Sequence, residues 1–496
     1  MLTILATTSH FEEVKSTINS VDRLSELVKV IDNSEETQTL KNLIVSQNEI
    51  KSFLDWFDTE PPYLIPSQPF SKENLLAMVF LKLGNHQRAF EYLEEETELF
   101  NHFLASTNLH FGYRLDEGLF EFITSTSSHN FAISHYYNSS IEKRDLEVLK
   151  GLFKHSLSES SNDEEKAFTL KHYVNFLLDL GRKAEAKRLL EKNRVLPVSN
   201  EGKLSFDLLE ASIEKEELNI PYDSDRLEAI LQIQLKGIEA YESFELNTQA
   251  GLLLMEASEI ANFKEDFITS KQLINKAIQY FKEEDIPEFL GEAGLKKAVL
   301  LYTWSKNGSP QYYKAAINAF QDVLKVFKRD THPQQFADVH HNLALIYSEI
   351  PVSAEEQPMW TAFCASSFKE VLSFYAKENF PYEHAMASHN YATALMDFPP
   401  AKIHDNLTKA KGLFDAALEI RKPDTYPFER ALTLLNVLEL GWLSHNEDSI
   451  EEIKKYEEMK SQAEEIQTLV SDPALIEKAE EHLQRLEQLK TLIDAK

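Results

Sequence analysis

Apolar residues recur at helical spacing along most of this chain, and between residues 286 and 441 one arrangement of them is written four times. The copies read IPEFLGEAGLKKAVLL from Ile286, HPQQFADVHHNLALIY from His332, FPYEHAMASHNYATAL from Phe380 and YPFERALTLLNVLELG from Tyr426. Each places a proline second, and Pro287, Pro333, Pro381 and Pro427 lie 46, 48 and 46 residues apart. Phe320, Phe368 and Phe414 keep step with them. One period of 46 residues earlier, Ile274, Ala277, Ile278, Tyr280 and Phe281 foreshadow Phe320, Val323, Leu324, Val326 and Phe327. Self-similarity at such a period predicts a helical solenoid, in which each unit buries its apolar face only against its neighbours.

The remainder reads in four blocks. Residues 1–65 are expected to form an N-terminal helical segment, because ETQTLKNLIVSQNEIKSFLDWF (36–57) sets Leu40, Leu43, Ile44, Ile50, Phe53 and Leu54 at helical spacing. TEPPYLIPSQP (59–69), with four prolines, breaks any helix and reads as a linker. Residues 66–225 are expected to hold an N-terminal array of hairpins. In two of them a first helix turns at glycine and a second opens on a small inward residue: Gly84 with Ala89, and Gly181 with Ala186. Leu93 and Leu190 fill the seam a turn later. Between these pairs 106–143 has no clean period, and 201–225 reads as the junction to a long-period array over 226–447. The charged helices of 448–496, divided at Ser471-Asp472-Pro473, read as a polar cap for the last repeat.

At 496 residues the chain exceeds what one simple core supports, a limit that a solenoid escapes by growing in one dimension. A net charge of −30 repels nucleic-acid phosphates and anionic surfaces and favours a basic or neutral partner segment. With Cys364 as the single cysteine, an intrachain disulfide and a thiolate metal cluster are both excluded. The N-terminus lacks a basic region ahead of its apolar start, and no apolar run approaches a bilayer span, so a cytoplasmic location is expected.

These residues resemble the tetratricopeptide (TPR) family. Asn342-Leu343-Ala344 and Asn390-Tyr391-Ala392 match its first helix, with Asn436-Val437-Leu438 a weaker copy. Ala316, Phe320, Val323 and Leu324, and more closely Ala410, Phe414, Ala417 and Leu418, match its second. The resemblance spans about 260–447, with fainter traces at 72–97 and 167–197. It departs from the family in period, and the extra residues lie between helices, as in SEIPVSAEEQPMW and MDFPPAKIHDN. In this it is similar to bacterial long-repeat TPR proteins, some of which act in signalling or defence. The resemblance implies an all-α, right-handed superhelix (α-solenoid) of nine to eleven TPR-like hairpins. It further implies a non-catalytic scaffold or adaptor that takes a protein or peptide in its concave groove.

The row Asn342, Asn390 and Asn436 is the main candidate for that groove, with His341 and His389 beside it. Such amides can bind a partner's backbone, or they can tie one helix to the next, and the sequence leaves both readings open. His340, His384 and His404 join the cluster, but no metal-ligand spacing such as HExxH is present, and no cofactor fingerprint is found. Cys364 falls where other repeats carry Ala316 and Ala410, which makes it a packing residue before a nucleophile; a cryptic hydrolase is the remote alternative. The basic run Arg182, Lys183, Lys187, Arg188, Lys192 and Arg194 is the alternative site, for nucleic acid, against the reading of a solvated helix with Glu185 and Glu191 interleaved.

Overall fold

A computed structural model describes the chain except residues 35–39, 96, 139–145, 161, 220, 400–404, 445, 447–448 and 495–496. It divides into two compact units, Met1–Tyr280 and Phe281–Lys496. The sequence puts the junction within 201–225, but a helix, Asn200–Glu216, runs through most of that stretch.

The first unit opens on a sheet, and the expected helical segment over 1–65 is corrected here. Strands β1 (Leu2–Ala6), β2 (Val28–Asp32), β3 (Leu43–Ser46), β4 (Glu49–Ser52) and β5 (Gln68–Pro69) lie in the order β2-β1-β3-β4-β5, with helix α1 (Phe11–Asn19) crossing from β1 to β2. β1 pairs parallel with β2 and β3, and β3 pairs antiparallel with β4. The reason lies in the period. Leu43, Val45 and Ile50 alternate inward at 0% exposure, while Gln47 and Asn48 take positive φ (51° and 60°) and close a tight hairpin. Leu43, Ile44 and Ile50 also fit a helical face, so in so short a stretch the two periods coincide; residues 36–39 of that segment lie outside the described residues.

Helices fill the rest of this unit: α2 (Lys72–Lys82), α3 (His86–Phe90), α4 (Glu98–His110), α5 (Glu117–Thr126), α6 (Ser128–Asn138), α7 (Leu146–Glu159), α8 (Asp163–Asp179), α9 (Lys183–Lys192), α10 (Asn200–Glu216), α11 (Ser224–Ser243), α12 (Asn247–Phe263) and α13 (Phe267–Glu283, which crosses the division). α2/α3 and α8/α9 are the two hairpins expected at glycine turns. Gly84 and Gly181 sit at φ +71° and +69°, a conformation that costs an L side chain, and Ala89 and Ala186 are fully buried. The aperiodic stretch 106–143 is helical in α4, α5 and α6 where it is described.

The second unit holds α14 (Pro287–Lys306), α15 (Tyr313–Val323), α16 (Pro333–Glu349), α17 (Gln357–Phe374), α18 (Pro381–Asp397), α19 (Asn406–Ile420), α20 (Pro427–Leu443), α21 (Ser449–Leu469) and α22 (Pro473–Asp494). The four phased prolines each occupy the first turn of the odd member's predecessor in a hairpin, at α14, α16, α18 and α20, where the missing N–H would have no helical partner anyway. In the second helices Ala316, Cys364 and Ala410 share one position and Phe320, Phe368 and Phe414 another, all at 0% exposure. The small residue admits the first helix closely, and the phenyl ring a turn later fills the space between hairpins. Phe368, for instance, stacks on Tyr391 of the next hairpin at 4.8 Å. Apart from the small N-terminal sheet, the described residues fold as a repeat of α-helical hairpins.

Candidate functional site

The phased prolines start α16, α18 and α20 in the same register, so the residues nine positions on fall at equivalent places, and these carry the asparagine row. Asn390 Nδ2 lies 2.8 Å from His341 Nε2, one hairpin back. Asn436 Nδ2 repeats the contact with His389 Nε2 at 3.4 Å and reaches Thr393 Oγ1 at 2.9 Å. Asn342, at the head of the row, donates within its own helix to the Asp338 carbonyl (2.9 Å). An amide nitrogen only donates, so each histidine must accept at Nε2 and carry its proton on Nδ1. His389 Nδ1 is placed for this, 3.2 Å from Thr433 Oγ1. Thr433 in turn donates to the Glu429 carbonyl (2.8 Å) and accepts from Arg421 (2.7 Å).

The structure therefore brings together four of the five predicted residues as two helix-to-helix ties. Burial pushes both rings down, to about 4 for His341 and about 4 for His389, where the Arg421 guanidinium adds to the effect. Sequence reasoning missed Thr433 and Arg421, both buried, since a threonine and an arginine separated by a loop carry no periodic signal. The asparagines stay half-buried, with Nδ2 engaged in the ties for Asn390 and Asn436 and within its own helix for Asn342.

The other histidines disperse. His340 turns to Phe336 (4.5 Å) and the Ser367 hydroxyl, and His384 Nδ1 meets the Tyr375 carbonyl at 2.8 Å. His404 lies outside the described residues. Among the described residues no group of three side chains is arranged to hold a metal. Cys364 is fully buried in the core with Phe368, and burial pushes its thiol up to about 12, which removes the thiolate a nucleophile requires.

The basic run on α9 is largely neutralised by α10. Lys187 bridges Glu214 and Glu217, Lys183 meets Glu216 at 2.7 Å, and Arg194 spans Asp207 and Glu210. Arg182 faces Glu147 and Glu185, and Arg188 folds back onto the Ala184 carbonyl. Lys192 is exposed at the helix end. A phosphate backbone approaching this face would meet at least as many carboxylates as cations.

Among the described residues no helix is long and apolar enough to cross a membrane. No family model and no curated protein matches the sequence. Among solved structures, the chain is similar to a Signal Transduction ATPase with Numerous Domains (STAND) protein with a tetratricopeptide repeat sensor from Pyrococcus horikoshii: 15% identity, TM-score 0.49, over 70% of this chain and 54% of that one. It thus spans about half the length of that protein (54%). Yeast Tom70 is matched at 12% identity and TM-score 0.38, over 85% of this chain and 82% of that one. The Cut9-Hcn1 hetero-tetramer of the APC/C is matched at 12% identity and TM-score 0.25, over 84% and 89%. At these scores the likeness carries no functional information, and the fold assignment rests on the repeated proline, small-residue and phenylalanine positions of the hairpins themselves.

Proposed function

We propose that the chain is a non-catalytic, cytoplasmic scaffold or adaptor that binds a protein or peptide along the first helices of its second unit. The supporting observation is the asparagine row. Its Nδ2 atoms are engaged within the helix array, and the Oδ1 atoms of the half-buried Asn342, Asn390 and Asn436 are the groups that accept backbone N–H donors of the partner. His341 and His389 act behind them by fixing the amide orientation. The chain's charge of −30 steers a basic segment toward this face, an attraction that weakens with salt.

The test is affinity capture from the source lysate with wild type and with Asn342→Ala/Asn390→Ala/Asn436→Ala, at low and high salt. The reading expects one dominant protein, released by salt and captured at least tenfold less by the variant. Equal capture by a variant with unchanged helicity would remove the asparagine row from the binding face. Nuclease-sensitive capture would move the function to nucleic acid.

A further inference from the structure

The segment that reads as a linker is bound along the helices of the first unit as a peptide would be. Prolines at 61, 62 and 66 keep it out of helix and sheet; beyond short-range bonds of its own (Tyr63 N–H to the Pro61 carbonyl, 2.7 Å; Glu60 N–H to Asp55 Oδ2, 2.8 Å), its main chain takes partners from the helices. Side chains supply them. Lys171 Nζ donates to the Trp56 carbonyl (2.7 Å) and pairs with the Asp58 carboxylate (2.7 Å). Lys82 pairs with Glu60. His129 Nε2 holds the Pro62 carbonyl at 2.9 Å, its other nitrogen fixed by Thr169 (2.8 Å). Asn130 clamps Leu64 from both sides, Oδ1 accepting its N–H and Nδ2 donating to its carbonyl, each at 2.8 Å. The Tyr63 hydroxyl meets His102 Nδ1 at 2.8 Å.

Two features of this set go beyond a packed loop. Lys82, His102, His129, Asn130 and Lys171 come from α2, α4, α6 and α8, the first helices of four successive hairpins. Four of the contacts go to main-chain atoms, so they hold the segment's backbone whatever its side chains. His102, His129, Asn130 and Lys171 are each more than nine-tenths buried. Alongside the segment runs a cavity of about 650 Å³, walled by residues 60–67 on one side and by 124–130, 155–160 and 165–169 on the other.

We infer that the first-helix face of α2–α8 is a peptide-reading groove, and that residues 55–66 are its intramolecular occupant. The partner it fits is a protein with a proline-broken segment that carries carboxylates at the Asp58 and Glu60 positions and an aromatic at Tyr63. Such a segment exchanges with the chain's own, taking the same two lysines and the same Asn130 clamp, and the adjoining cavity gives the displaced strand room to leave. This groove is separate from the asparagine row, and the inference stands whether or not that row binds anything.

The test uses a fluorescent peptide of residues 55–67 (DWFDTEPPYLIPS) added to the full chain. Tyr63→Ala/Ile65→Ala weakens the internal occupant and is expected to bind the peptide at least tenfold more tightly than wild type; adding Asn130→Ala is expected to abolish the gain. A variant of wild-type helicity that binds no more tightly would overturn the inference. Hydrogen exchange on the wild-type chain tests it independently of that variant's folding. The Leu64 amide is expected to exchange at least tenfold faster than the Phe176 amide of α8, at a rate unchanged by low urea. Equal protection of the two, with a shared urea dependence, would show a fixed strap and overturn it.

Discussion

Lowering the pH should unlock the second unit at its histidine ties. In the folded chain His341 and His389 are neutral, accept an amide proton at Nε2 and titrate at about 4, against an ordinary value of 6.5. A depressed folded value means that the unfolded chain binds the proton first. The stabilisation is therefore complete above pH 6.5 and is lost as the pH falls toward 4. Between about pH 7.5 and about pH 5 each ring forfeits about 2 kcal/mol, so the pair forfeits about 4 kcal/mol, or roughly a thousandfold in the opening equilibrium. A protonated Nε2 would also face the Asn390 amide donor to donor, which breaks the tie. The assay is hydrogen exchange resolved to α16, α18 and α20, corrected for the intrinsic pH dependence of exchange. Local resolution is needed because His102 and His129, also pushed down to about 4 by burial, titrate in the first unit. His341→Gln/His389→Gln keeps an acceptor for each asparagine and deletes the titration, so the acid loss of protection in these helices should shrink by most of that thousandfold. If the double variant kept the wild-type pH dependence there, the assignment of neutral, proton-accepting imidazoles would be wrong.

Three further outcomes are expected. Phe368→Ala removes a fully buried ring that stacks on Tyr391, and should cost about 3–5 kcal/mol in urea unfolding of the second unit; a cost below about 1 kcal/mol would mean the ring does not couple the hairpins. Cys364 should resist a thiol-specific chromogenic reagent in the native chain and react fully in denaturant; rapid native labelling would contradict its burial. Duplex DNA or RNA should not be retained on the immobilised chain at near-physiological salt, and Lys187→Ala should leave that unchanged while altering stability by less than about 1 kcal/mol, since its bridges to Glu214 and Glu217 lie near the surface.

The second unit was legible because three of its hairpins, α14/α15, α16/α17 and α18/α19, solve the same steric problem with the same residues. Proline starts the first helix, alanine or cysteine lets the second approach, and phenylalanine fills the gap a turn later, so the solution prints its period on the chain. The sheet was not legible. β3 and β4 are four residues each, too short for alternation to outweigh a helical reading, and their turn uses Gln47-Asn48 in place of a glycine that would mark it. The asparagine row was visible, but its hydrogen bonds join residues 43 to 49 apart, a distance over which no local pattern speaks. The same holds for the strap. Its prolines marked a break in the helices, whereas the lysines, histidines and asparagine that hold it come from four helices and only the fold assembles them.

The most direct test of the scaffold reading is a hydrogen-exchange footprint of the chain with its captured partner, compared with the chain alone. Binding along the asparagine row should protect α16, α18 and α20 around Asn342, Asn390 and Asn436, and raised salt should remove that protection. A footprint confined to α9 and α10, or one that leaves all three of those helices unchanged while the partner remains bound, would contradict it.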